Sequence, residues 1–121
     1  MNGHFDPSRL DLYQSYKDEN GQDLRISLVH SYLKTTAQEL EKLKALSAQD
    51  QAAVQVTVQR IAHTLKSSSA AVGGLLLATF FAELEAEIFS LDQLSKKLQV
   101  IESGFADLKV SLEKYLEQLP Q

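Results

Sequence analysis

From Leu94 to Leu119 the apolar residues fall at Leu94, Leu98, Ile101, Phe105, Leu108, Leu112, Tyr115 and Leu119, an unbroken alternation of four- and three-residue steps. Only a helix gathers such a set on one side, and the alternation is that of a bundle seam. The rest of the chain supplies helices to pack against it. Gln22 to about Leu46 carries Ile26, Val29, Leu33, Ala37, Leu40 and Leu43, with Leu28 and Tyr32 widening that face. Gln51 to Val72 carries Val54, Val58, Ile61, Leu65 and Val72 within an arc of roughly 60° on a helical wheel. Leu75 to about Phe89 carries Leu77, Phe81, Leu84 and Ile88, with Leu76 and Phe80 beside them.

The breaks are equally legible. Asp6-Pro7 reads as an N-cap and a first-turn proline, opening a short helix with Leu10, Tyr13 and Tyr16 or Lys17. Asn20-Gly21 ends it, Ser47–Asp50 is a polar connection, and Gly73-Gly74 stops the central helix. Ser90-Leu91-Asp92 is expected to be a turn, with Asp92 capping a last helix over about Gln93 to Leu119. No segment reads as a strand or a repeat. Helices joined by such short links must run antiparallel. The expectation is an all-α fold over residues 1–121, a single domain: an up-down-up-down four-helix bundle with a short additional N-terminal helix. One bundle uses every seam, so a monomer is expected.

Composition narrows the function classes. The chain has no cysteine, which removes disulfides, thiolate nucleophiles and cysteine-ligated metals. A net charge of −4 argues against nucleic acid as a partner. No run of about 18 apolar residues is present, and the first residues lack a signal peptide's basic and apolar regions. No membrane association and a cytoplasmic location are expected.

The polar face of the central helix holds the candidate chemistry. His63 projects roughly 160° from the middle of the apolar stripe, and Gln59, Arg60, Lys66, Ser67 and Ala70 share its face. Cations stand three residues to either side, and Ser67 and Ala70 keep bulk low where a second protein would approach. An exposed histidine is ordinarily a passive surface group; this arrangement argues for more. His4 and His30 have no ligand spacing to each other or to His63, and no metal is expected.

Ala62, His63, Leu65, Lys66, Ser68, Ser69, Ala70, Val72 and Gly73, with Leu84-Glu85 further on, resemble the signature of the histidine-containing phosphotransfer (HPt) domains of phosphorelays. Ser67 stands where that family usually has glycine, adding one small hydroxyl. The resemblance implies that His63 carries a phosphoryl group on Nε2, taken from a receiver-domain aspartate and passed to another receiver domain. It implies that Glu85 hydrogen-bonds the other ring nitrogen, an ordinary solvated glutamate being the competing reading. Lys66 then neutralises phosphoryl oxygens or is simply solvated. Arg60 serves docking, phosphate contact or solubility. Gln59, Ser67 and Ala70 belong to the docking face, with Leu75, Phe89 and parts of the first helix as candidate apolar additions. Gly73 is structural.

The implied partners are receiver domains of hybrid histidine kinases and response regulators. The chain itself would need no cofactor, magnesium belonging to the receiver, and would have no kinase or ATPase activity. Two other readings stand beside this one. The dimeric phosphoacceptor domain of a sensor kinase normally has an acidic residue after the histidine, where this chain has Thr64. A bundle that has lost the chemistry and serves as a scaffold is the other.

Overall fold

The computed structural model describes residues 5–46 and 51–120. They form α1 (Ser8–Asp11), α2 (Leu24–Ala45), α3 (Gln51–Ala71), α4 (Leu75–Ala86) and α5 (Leu91–Glu117), with no strand among the described residues. The four long helices make a ring in which α3 packs on α4, α4 on α5, α5 on α2 and α2 on α3. Bonds across the seams give their directions. Arg25 at the start of α2 meets Tyr115 near the end of α5, whereas Lys44 at the end of α2 meets Glu102. Tyr32 of α2 bonds Ser69 late in α3, and Gln55 early in α3 reaches Glu87 just beyond α4. Lys97 early in α5 also pairs with Glu87. Neighbours therefore run antiparallel, up-down-up-down, as the short connections demand.

The α5 seam is buried at Leu94, Leu98, Ile101, Leu108, Leu112, Tyr115 and Leu119, with Phe105 half-buried against it. Val54, Val58, Ile61 and Leu65 of α3 are buried, as are Val72 just beyond it and Leu77, Phe81 and Leu84 of α4. The face of α2 is rotated from its expected position. Arg25, Val29, Tyr32, Thr36, Leu40 and Leu43 are buried, whereas Ala37 is exposed. The polar members are held by tertiary partners. Arg25 makes a two-pronged pair with Asp23 at 2.8 and 3.0 Å and donates to the Tyr115 hydroxyl at 2.9 Å. That hydroxyl donates in turn to Asp11 at 2.6 Å, so one guanidinium joins α1, α2 and α5.

Three boundaries differ from expectation. The first helix stops at Asp11, and the chain continues in turns through Ser15. Asp6 still accepts the Ser8 amide at 3.0 Å, but Leu10 is the one buried residue of α1, too little apolar surface to extend a costly short helix. Helix α4 ends at Ala86 rather than Phe89, leaving Ile88 outside it and 86% exposed. The cap of α5 is Ser90 rather than Asp92. Its hydroxyl accepts the Gln93 amide at 3.2 Å while the Gln93 side chain accepts the Ser90 amide at 2.9 Å, a reciprocal capping box. The Ser47–Asp50 connection and His4 lie outside the described residues.

Candidate functional site

Helix α3 ends in a Schellman motif. The Gly74 amide donates to Ser69 at 2.8 Å, the Gly73 amide donates to Ala70 at 3.1 Å, and Gly73 takes a φ of +88°. The turn sends α4 straight back along α3, which brings the last turn of α4 beside the middle of α3. Two glutamines of α3 hold that end. Gln59 donates to the Glu85 carbonyl at 3.2 Å and Gln55 to the Glu87 carbonyl at 2.8 Å. Carbonyls at a helix C-terminus lack partners within their own helix, so these amides supply what the helix cannot.

The side chain of Glu85 then sits between two residues of α3. Its Oε2 is 2.6 Å from His63 Nδ1, and its Oε1 accepts Lys66 Nζ at 2.6 Å. The Lys66 bond holds the Glu85 carboxyl below the usual glutamate range and the His63 bond adds to this; partial burial pushes the other way. Glu85 is therefore a carboxylate at neutral pH, which makes Nδ1 the donor and places the proton of a neutral ring there. The ring is otherwise open, its side chain 65% exposed against 28% for Glu85. No group among the described residues bonds Nε2.

The residues singled out by sequence thus divide. His63, Lys66 and Glu85 form one hydrogen-bonded unit. Gln59 faces α4 and anchors its backbone. Arg60 and Ser67 are exposed and Ala70 half-buried along the outer face of α3, none of them bonded to Glu85. Gly73 lies at the end of the helix, where an added Cβ would stand 2.1 Å from the Asp6 carbonyl oxygen. Of the apolar candidates, Phe89 is buried and faces the core, so it is withdrawn from the docking surface; Leu75 is half-buried.

Two features escaped the sequence reading. One is Gln55, whose periodic position on the α4 side of α3 was available as a signal. The other is a hollow of about 280 Å³ between α2, α3 and the turn after α1, lined by Tyr13, Leu28, Thr35, Thr64 and Ser68 among others. Thr64 places it on the flank of His63 opposite Glu85. Beneath it, the buried Tyr32 hydroxyl and Ser69 bond at 2.7 Å, fixing α2 against α3.

No helix among the described residues is long and apolar enough to cross a membrane. No curated protein and no solved structure matches the chain significantly. A family model described as Hpt domain matches residues 27–121. That match runs from the first turn of α2 through α5 and takes in His63, Lys66 and Glu85; the chain belongs to the Hpt-domain family, which serves histidine phosphotransfer in phosphorelays.

Proposed function

We propose that this protein accepts a phosphoryl group on His63 Nε2 from a receiver-domain aspartyl phosphate and passes it to the aspartate of another receiver. The observation that carries the reading is the 2.6 Å contact between His63 Nδ1 and Glu85 on a ring otherwise open to visitors. With the proton held on Nδ1, Nε2 presents a lone pair. That pair forms the new N–P bond as the acyl-phosphate P–O bond breaks and the aspartyl carboxylate leaves with its electrons. No proton has to move. The ring becomes a phosphorylated imidazolium, and the Glu85 carboxylate faces the positive charge as it develops. The reverse sequence delivers the phosphoryl group to the next receiver. Transfer of this kind has a loose transition state, so positioning and charge supply most of the catalysis.

Docking on this reading uses the outer face of α3. Ser67 and Ala70 keep it low, Gln59 keeps α4 in register beneath it, and Arg60 faces the acidic pocket of a receiver and speeds encounter more than it tightens the complex. The hollow beside Thr64 offers the same partner apolar surface. Magnesium is expected from the receiver, and the bundle acts as a cytoplasmic monomer without kinase or ATPase activity of its own. The test is incubation with a phosphorylated receiver domain, following an acid-labile, alkali-stable label. His63→Ala should abolish the label with helical content unchanged. A label that survives the substitution removes His63 from the role, and an unlabelled wild-type chain favours a scaffold.

A further inference from the structure

Two cations stand three residues either side of His63, and the structure separates them. Lys66 points to the α4 side and is bound to Glu85 at 2.6 Å, with its side chain 37% exposed. Its charge is matched by the same carboxylate that holds the imidazole. Arg60 is exposed on the outer face, and its guanidinium has no ion pair or hydrogen bond among the described residues. Residues three apart on a helix are surface neighbours. A phosphoryl group on Nε2 brings a net negative charge to a spot where Glu85 and Lys66 already cancel. Arg60 is the one cation within a helical turn of His63 on α3 that is uncommitted.

We infer that Arg60, rather than Lys66, takes the oxygens of the phosphoryl group on His63, and that Lys66 is a positioning residue acting through Glu85. This rests on the phosphotransfer reading above. A guanidinium suits the role because it offers two parallel N–H donors to a pair of phosphoryl oxygens. Lys66 has a different effect. By occupying Oε1 it leaves Oε2 aimed at Nδ1, so it governs the proton and orientation of the ring.

The full chain, phosphorylated with phosphoramidate, separates the two roles. In that reaction the Nε2 lone pair forms the N–P bond as the P–N bond of the donor breaks and ammonia leaves. The phosphorus NMR signal of phosphorylated His63 is then followed against pH. A cation beside the phosphoryl oxygens favours their dianion, so Arg60→Gln should raise the midpoint, with proton affinity up about threefold or more. Arg60→Lys should recover part of the effect, and salt should weaken it in the wild type. Lys66→Gln should move this midpoint less, and should instead change the ratio of Nδ1–H to Nε2–H tautomer of the unphosphorylated His63 ring, read from its ring-nitrogen chemical shifts, more than Arg60→Gln does. A larger phosphoryl shift from Lys66→Gln than from Arg60→Gln overturns the inference while leaving the phosphotransfer reading intact. Failure of phosphoramidate to give any phosphohistidine signal that depends on His63 overturns both.

Discussion

Replacing Gly73 by alanine should be among the costlier single-methyl changes in this chain, and the cost can be worked from two separate features. At a φ of +88° an L-residue loses roughly 1–2 kcal/mol relative to glycine. The new Cβ would also stand 2.1 Å from the Asp6 carbonyl oxygen and 3.0 Å from its carbon. Those are backbone atoms, so the segment before α1 has to move as a whole. Moving it breaks the 2.7 Å bond from the Asp6 amide to the Gly73 carbonyl, worth about 1 kcal/mol. It also pulls Phe5 from its edge-on contact with Tyr115, worth about 0.5–1.5 kcal/mol. Together these come to about 2.5–4.5 kcal/mol. Gly21 provides the control: its φ is +80°, but nothing lies within 4 Å of an added Cβ, so Gly21→Ala carries only the first contribution. Urea unfolding of both variants at neutral pH should give Gly73→Ala a deficit larger by about 1.5 kcal/mol or more. Adding Phe5→Ala should shrink that difference, because the contact is then already lost. Equal losses for Gly73→Ala and Gly21→Ala would show that the N-terminal segment does not brace the turn from α3 to α4.

Two further outcomes are expected. Burial pushes the Tyr32 phenol up to about 12, while an unfolded chain releases that proton near about 10. The contribution is therefore complete below about pH 10 and is lost as pH rises toward about 12, on the order of 2 kcal/mol. Urea midpoints measured through this range should fall less steeply for Tyr32→Phe, with a residual slope because burial also raises Tyr115; an unchanged slope would refute the assignment. Ala70→Trp should slow transfer from a dilute phosphorylated receiver by about tenfold, roughly 1.4 kcal/mol of lost docking, while circular dichroism stays that of the wild type. Undiminished transfer would move the docking face elsewhere on the bundle.

How much of the fold the sequence disclosed depends on where each determinant lies. The stripes of α3 and α5 are apolar and continuous, and burial alone explains them, so periodicity found them. The face of α2 was harder because Arg25 and Thr36 occupy core positions. Arg25 can be buried only because Asp23, Tyr115 and Asp11 converge on it, and two of those residues come from other helices. Counting apolar residues therefore rotated the face toward Ala37. The end of α4 shows both kinds of signal. Ile88 follows Leu84 at a four-residue step and looked like one more turn. The Ser90–Gln93 box was written locally and marks where α5 begins. The grip of Gln55 on the Glu87 carbonyl was not local, since it exists only once α3 lies against α4.

The site divides along the same line. That His63 faces outward follows from its angle to the α3 stripe, a property of one helix. Its bond to Glu85 depends on the register of two helices, set by the tight turn at Gly73-Gly74 and held by Gln55 and Gln59. The reading of Lys66 shows what a single wheel leaves out. On α3 alone, Arg60 and Lys66 lie about 60° to either side of His63 and look interchangeable as partners for an anion. Once α4 is in place, one side holds a carboxylate and the other opens toward solvent, so the two cations stand in different surroundings. The lysine that reads as a phosphate ligand in sequence is, in the folded chain, hydrogen-bonded to the same carboxylate that contacts the imidazole.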